Sequence, residues 1–177
     1  MVFPFAIKAV LITILTLLFC LPSANAEPVS KYVLDVSIDI PSSEIRGTAK
    51  LEVLGVERVK LIRGAMQIHS MKLNNNPVSF SGTGRTVIVF PESDGVLEIS
   101  YTDTFRIYGS DQQQDSGIAP NVIDGNGVSL TNTWYPAAEG LHEFSLTVTL
   151  PKGYEAVSEG EEILKTEGTN TTEFRFS

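Results

Sequence analysis

The chain has 177 residues, of which 13 are Lys or Arg and 21 are Asp or Glu, so its formal net charge is -8. Proteins that bind nucleic acid neutralise phosphates with clustered basic side chains, and this chain has no cluster of Lys and Arg. We therefore expect no nucleic-acid partner. The length corresponds to a single domain of ordinary size.

The N-terminus has the features of a secretory signal peptide. Lys8 precedes an apolar stretch over Ala9–Leu21, and Ser23–Ala26 supplies small residues at a cleavage site. This pattern predicts a signal peptide over residues 1–26. The apolar stretch is shorter than the roughly 20 residues of a membrane-spanning helix, so we expect no membrane partner after cleavage. An uncleaved N-terminal anchor is the alternative.

The predicted mature chain, residues 27–177, contains no cysteine. The single cysteine, Cys20, lies in the predicted signal peptide, and the bulky Phe19 before it does not match a lipoprotein signal. An exported protein without cysteine cannot use disulfides, so its stability must come from its own core or from a partner domain. This combination is typical of bacterial periplasmic or secreted proteins, and we expect one of these locations.

Apolar and polar residues alternate with period two along most of the mature chain. Lys31–Ile40 and Glu44–Leu54 both show this alternation, and Pro41–Ser43 separates them. The pattern predicts half-buried antiparallel strands joined by a hairpin turn. Further strands are predicted over residues 59–62, 67–73, 78–80, 86–90, 96–101, 144–150 and 172–177. We therefore predict an all-β fold, either an antiparallel sandwich or a curved-sheet domain.

The segment 109–127 interrupts this alternation. It contains Gln112–Gln114 and Asp124–Gly127 and has no apolar periodicity. A connection of this length inside a compact domain is usually functional or disordered, so we predict a disordered segment or a mobile flap. Four oxygen-bearing residues of this segment could bind calcium, namely Asp111, Asp115, Asp124 and Asn126. A tight Asp-Gly-Asn-Gly turn is the alternative interpretation.

The chain lacks the residues of a catalytic zinc site. Zinc peptidases place two His four residues apart on a helix, with a Glu directly after the first. His142 and Glu143 begin this pattern, but Leu146 occupies the position of the second His. The other histidine, His69, lies in a predicted strand. We therefore predict no catalytic residue and no zinc ligand in this chain, and we interpret His142 as a surface strand residue.

The most distinctive segment is Thr133–Gly140, which begins Thr-Trp-Tyr-Pro and contains the only Trp of the chain. It follows a predicted strand, and we refer to it as the corner. Large rings often close the end of a β-sandwich, which is one interpretation. The other is a cleft wall, in which two amphipathic rings, a proline-fixed backbone and a carboxylate face a ligand. The candidate cleft residues are Thr133, Trp134, Tyr135, Pro136 and Glu139.

Five segments of the chain occur in an order and spacing that is known from one family. These segments are Tyr32–Asp39, Ile45–Ala49, Leu97–Tyr101, Trp134–Pro136 and Phe144–Leu150. Together they resemble the N-terminal β-domain of the aminopeptidase N family of zinc metallopeptidases, in its divergent bacterial branch with a Trp-Tyr-Pro corner. The resemblance implies a β-domain that precedes a zinc-binding catalytic domain and helps to shape its active site.

By this resemblance, residues 27–177 are a non-catalytic accessory domain, truncated before the catalytic domain of an exported peptidase. Zinc and a peptide substrate are then implied in the downstream domain, which is the expected partner, and no cofactor is implied in this chain. The family's corner uses polar side chains to hold the substrate's free amine, and alignment on Pro136 places Thr133 and Tyr135 there. Neither carries an anionic group or an amide. Another end preference, or a member without activity, is therefore also open.

Two other functions fit the same residues. Trp134 and Tyr135 could form the stacking platform of a free-standing extracytoplasmic module that binds carbohydrate or cell-wall peptide. The chain could instead be a structural β-sandwich without a ligand. The strand alternation that continues to Ser177 favours the first hypothesis, a domain of a longer protein.

Overall fold

The computed structural model describes residues 29–55, 57–106, 121–140 and 142–177. These residues form strands and loops without any helix, which confirms the predicted all-β fold class. No element in the described part therefore has the helical length and apolarity that a membrane crossing requires. The strands are β1 Val29–Asp39, β2 Glu44–Val53, β3 Val59–Ile62, β4 Gln67–Leu73, β5 Asn76–Pro77, β6 Phe80–Thr83, β7 Thr86–Val89, β8 Gly95–Thr104, β9 Val122–Asp124, β10 Gly127–Ser129, β11 Ala137–Ala138, β12 Glu143–Pro151, β13 Glu162–Glu167 and β14 Thr171–Phe176.

Eight of these strands form one large sheet in the order β13-β14-β12-β1-β2-β8-β4-β5. At its centre β1 and β2 form the predicted hairpin, in which Leu34 lies opposite Ala49. The pair β1 and β12 is parallel, with Leu34 opposite Leu146. This pair departs from the purely antiparallel arrangement that the sequence predicts. In sequence, β2 to β11 lie between β1 and β12, so no short hairpin sets the relative direction of these two strands. Antiparallel neighbours, by contrast, are typically joined by short hairpins.

A four-stranded sheet in the order β11-β3-β7-β6 completes the sandwich. One hydrophobic core contains residues of both sheets, because each strand directs alternate side chains to the same side. The large sheet contributes Tyr32, Leu34, Val36, Ile45, Ile99, Tyr101 and Phe174, and the small sheet contributes Val59, Leu61, Val87 and Val89. The opposite face of the large sheet carries polar residues, so the period-two pattern corresponds to an inner and an outer face.

Gly47 allows one of the closest contacts in the core. It lies opposite Tyr101 in the pairing of β2 with β8. A Cβ atom at Gly47 would lie 2.3 to 2.6 Å from atoms of the Tyr101 ring. The absence of a side chain therefore leaves room for the ring, which is fully buried.

The predicted turn after β1 is confirmed, and one predicted strand is misplaced. The Ser43 N–H donates to the Ile40 carbonyl at 3.1 Å, and Ser43 has a φ of 56°. The strand predicted over residues 78–80 is wrong in its position, because β5 ends before Val78 and β6 begins at Phe80. Here the chain passes from the large sheet to the small one, so the apolar pair marks a crossing rather than a strand.

The segment 109–127 is described only from residue 121 onwards. In this part the predicted disorder is wrong, since β9 and β10 pair with Val128 opposite Ile123, and Ile123 is fully buried. The alternative of a mobile flap stays a prediction. The sequence pattern concealed the hairpin because each strand is only three residues long. The rest of the predicted flap, and the predicted signal peptide, lie outside the described residues.

Asp124 forms the turn between β9 and β10. Its Oδ1 atom accepts hydrogen bonds from the N–H of Asn126 at 2.7 Å and of Gly127 at 3.2 Å. This is the tight-turn alternative that the sequence allows, in which a carboxylate bonds to backbone two or three residues later. The other two residues considered as calcium ligands, Asp111 and Asp115, lie outside the described part of the chain.

Candidate functional site

The corner that contains the candidate residues is held by an asparagine from the preceding connection. Asn121 Oδ1 accepts hydrogen bonds from the N–H groups of Thr131 and Asn132, both at 2.9 Å. Its Nδ2 atom lies 3.3 Å from the carbonyl oxygen of Thr133 and donates to it. One amide side chain thus satisfies three backbone groups of the loop before the Trp-Tyr-Pro sequence, which places Thr133 in a defined conformation.

The rings of the corner pack on the inner face of the large sheet. Trp134 and Tyr135 form an edge-to-face pair, with ring centroids 4.9 Å apart and an angle of 71° between the planes. Tyr135 also forms an edge-to-face pair with Tyr32 of β1 at 5.8 Å and lies 6.2 Å from the ring of Phe144. Both corner rings are half-buried against the core. This packing corresponds to the interpretation in which the corner closes the sandwich.

The hydroxyl of Tyr32 binds the corner backbone at two points. It donates to the Pro136 carbonyl oxygen at 3.0 Å and accepts from the Ala138 N–H at 2.6 Å. The Tyr32 side chain is 1% exposed. Burial raises the pKa of Tyr32 above its ordinary value of 10, and the hydrogen bond from Ala138 opposes part of that rise. The phenol is therefore neutral at physiological pH and retains the proton that it donates.

The end of the corner joins the small sheet. Ala137 and Ala138 of β11 pair with Ile62 and Leu61 of β3. The corner therefore contacts both sheets, the large one through Tyr32 and the small one through this short ladder. Tyr32 and the two β3 residues that hold the corner backbone lie about 70 to 110 positions before it in sequence.

The carboxylate of Glu139 is the charged group of the corner. It accepts a hydrogen bond from Lys60 Nζ of β3 at 3.0 Å, and its side chain is 72% exposed. An exposed ion pair of this kind is strongly solvated and contributes little to stability. Glu139 is thus available to solvent at the rim of the corner, whereas Pro136 is buried.

His142 differs from its predicted environment. The sequence indicates a surface strand residue, but His142 precedes β12 and is half-buried. Its Nδ1 atom lies 2.8 Å from the Val29 carbonyl oxygen, and its ring lies 5.1 Å from that of Tyr32. The prediction was wrong because the ring packs against Tyr32 and contacts the backbone of Val29, and both of these residues belong to β1.

The described residues include no group of His, Cys, Asp or Glu side chains that could hold a metal ion. The residues of this part of the chain therefore do not fit a zinc centre.

The sequence pattern predicts the corner but not two side chains that hold it, Tyr32 and Asn121. The signal for Asn121 was its position before a turn-rich polar segment, since Asn side chains commonly bond nearby backbone. Tyr32 shows no such signal, because core strands often carry tyrosine.

An open depression lies on the outer face of the large sheet, away from the corner. It is an open groove of about 660 Å³ over β1, β2, β8 and β4, and it includes Asp35, Arg46, His69 and Ser100. The contacts within it are between neighbours, such as the 2.9 Å hydrogen bond between His69 Nε2 and Thr102 Oγ1. It contains none of the five residues that the sequence predicts for a cleft.

No protein-family model matches the chain, and no curated protein sequence matches it. Solved structures do match it. An M1 zinc metallopeptidase from Deinococcus radiodurans superposes with a TM-score of 0.61 at 20% identity, and the match covers 84% of this chain and 38% of that one. The chain shares its fold with M1 zinc metallopeptidases. This confirms the resemblance inferred from the sequence.

Two related structures give the same result. One is a mutant M1 zinc metallopeptidase from Deinococcus radiodurans bound to a Tyr-Ser-Ala substrate, with a TM-score of 0.58 at 18% identity. The other is a two-domain M1 zinc metallopeptidase mutant bound to L-arginine, with a TM-score of 0.58 at 19% identity. Each match covers 84% of this chain but 38% of the other. The chain thus spans well under half of these proteins, consistent with an N-terminal domain.

Proposed function

We propose that the chain is the non-catalytic N-terminal domain of an exported zinc metallopeptidase of the aminopeptidase N type. The observation that carries this proposal is the fold match over 84% of this chain and only 38% of a two-domain zinc peptidase. A domain of this size and fold, without a metal-binding group among its described residues, fits an accessory part better than a complete enzyme.

In this proposal the corner walls one side of the substrate cleft. Thr133, Trp134 and Tyr135 give it a defined shape, and Glu139 places a solvated carboxylate at its rim. The edge-to-face angle of 71° supports a shaped wall more than a flat platform for stacking on a sugar ring. A peptide is therefore the ligand class that we assign to the corner, in preference to carbohydrate.

Zinc belongs to the downstream catalytic domain, where it would polarise the water that attacks the peptide bond. The domain described here supplies no ligand to it in this proposal. Its contribution is packing on the catalytic domain and limiting the space that the substrate can occupy. The predicted signal peptide over residues 1–26 supports a periplasmic or secreted location.

The experiment is a kinetic comparison in the full-length protein with its bound zinc. Glu139→Gln removes the charge at the rim and should raise KM for peptide substrates several-fold, with kcat nearly unchanged, because a wall contributes to binding rather than to the chemical step. Glu155→Gln is the matched control, because Glu155 also pairs with a lysine and is 71% exposed, against 72% for Glu139.

Zinc-dependent peptide hydrolysis with a KM that responds to Glu139→Gln alone is the expected result. A full-length protein without zinc-dependent hydrolysis would overturn the enzyme part of the proposal. Equal kinetics for the two glutamate variants and the unmodified protein would overturn the cleft role of the corner.

A further inference from the structure

The corner has no regular structure between Thr131 and Pro136, yet its backbone is held at both ends. Asn121 holds the beginning, and the Tyr32 hydroxyl holds the end by bonding to Pro136 and Ala138. The two bonds of Tyr32 come from one oxygen that is fixed in the buried face of β1. A single phenol group thus bonds the corner backbone to the large sheet at two points.

We propose that Tyr32 is a positioning residue, whose hydroxyl holds the Trp134–Glu139 corner in the conformation that shapes the substrate cleft. This inference rests on the proposed function. Tyr32 is covered by the corner and does not reach a ligand. Its effect is transmitted through the backbone of Pro136, which precedes β11, and of Ala138, which belongs to β11.

The physical argument is the pairing of buried backbone groups. The bond to the Pro136 carbonyl is buried and the bond from the Ala138 N–H is partly buried, so water replaces a lost partner only incompletely. Removing the Tyr32 oxygen leaves the Pro136 carbonyl and the Ala138 N–H without their hydrogen-bond partner. The corner then gains stability by moving these groups toward solvent, and this movement shifts Trp134 and Tyr135, which pack on the same segment.

Tyr101 provides a matched control within the same core. Like Tyr32 it is a fully buried tyrosine on the inner face of the large sheet. In contrast to Tyr32, its hydroxyl has no hydrogen-bond partner among the described residues. Tyr32→Phe and Tyr101→Phe thus delete the same atom from two buried rings, and only the first deletion removes bonds to the corner.

The first measurement is amide hydrogen exchange and Trp134 fluorescence on the 177-residue chain and its two variants. Tyr32→Phe should accelerate exchange of the Ala138 amide on the order of tenfold, as expected for one lost hydrogen bond. It should also increase acrylamide quenching of Trp134, which is the only Trp. Tyr101→Phe should change neither. Equal behaviour of the two variants would overturn the proposal.

The second measurement is the kinetics of the full-length, zinc-loaded protein with the same variants. Tyr32→Phe should raise KM roughly threefold to tenfold with little change in kcat, and Tyr101→Phe should leave both unchanged. A normal KM in Tyr32→Phe, together with a raised KM in Glu139→Gln, would overturn the positioning role while the proposed function stands. A normal KM in both variants would overturn the cleft role of the corner, and the exchange result on Ala138 would then describe stability alone.

Discussion

The corner on the inner side of the sandwich and the groove on its outer face are built from different kinds of contact. The corner is held by a buried hydrogen bond from Tyr32 to Pro136, 104 positions apart, and by a partly buried one from Ala138 to Tyr32, 106 positions apart. The outer groove, with a volume of about 660 Å³, is lined mostly by polar residues that are exposed or half-buried. Its ion pair joins Arg46 and Glu44, which are two residues apart on β2.

The outer groove has a large volume, but the corner has the contacts that fix side chains in place. Volume alone is therefore a poor guide to where a fold positions its side chains. Polar contacts between residues that are neighbours on an exposed sheet form wherever opposite charges occur, and they constrain little. Buried bonds between distant segments require the whole sandwich to be formed and leave unsatisfied groups when they are broken. The corner is therefore the region in which substitutions should have specific consequences.

The largest expected effect of a single substitution is at Gly47, on the inner side. Gly47→Ala would place a Cβ atom 2.3 to 2.6 Å from the buried Tyr101 ring, so the ring or the strand must move. We expect a loss of about 3 kcal/mol in the free energy of unfolding, measured by urea denaturation. Gly125→Ala is the control, because a Cβ there meets nothing within 4 Å. Equal losses for both variants would contradict the packing at Tyr101.

The second substitution compares the two regions directly. Trp134→Ala removes a half-buried ring from the corner, and we expect a loss of about 2 kcal/mol in the free energy of unfolding, less than for a fully buried ring. Arg46→Ala removes the exposed cation of the outer groove and should change the same quantity by less than about 0.5 kcal/mol. A larger effect at Arg46 than at Trp134 would reverse the comparison.

The third prediction concerns alkaline pH. Burial raises the pKa of both Tyr32 and Tyr101 above the ordinary value of 10, so the folded state favours the neutral phenols. A raised pKa stabilises the fold fully below the unfolded value and loses that contribution as pH rises toward the folded value. Urea stability should therefore be flat near neutral pH and decrease above about pH 10. Tyr101→Phe removes one of these groups, so its stability should decrease less steeply with pH.

The smallest expected effect is at the exposed rim of the corner. Lys60 and Glu139 form an ion pair at 3.0 Å, but their side chains are 53% and 72% exposed. A double-mutant cycle with alanine at both positions should give a coupling energy below about 1 kcal/mol that decreases with added salt. A larger coupling that is insensitive to salt would mean that the rim is buried, and the corner would then have no open side.

Much of the fold follows from the period-two pattern alone. The pattern located β1, β2, β3 and β4 and the turn at Pro41–Ser43, because one face of each strand is buried and the other is not. It could not show that β12 pairs with β1 in parallel, since both pairings use the same alternation. It also missed β9 and β10, which are too short to show a period and depend on burial of Ile123.

The candidate site was predicted as a set of residue types rather than as a geometry. An aromatic pair before a proline indicated a corner, and the structure places these residues together. The hydroxyl of Tyr32 and the amide of Asn121 were not predicted, because their roles depend on contacts across the fold that no local pattern contains. The environment of His142 was mistaken for the same reason, since a ring from another segment covers it.

We propose that this β-domain belongs to a zinc peptidase, and the sequence of the gene beyond the codon for Ser177 tests this proposal most directly. We predict that the reading frame continues into a domain with a His-Glu-x-x-His helix and a further Glu ligand downstream. A stop codon directly after Ser177, or a continuation without this motif, would contradict the claim.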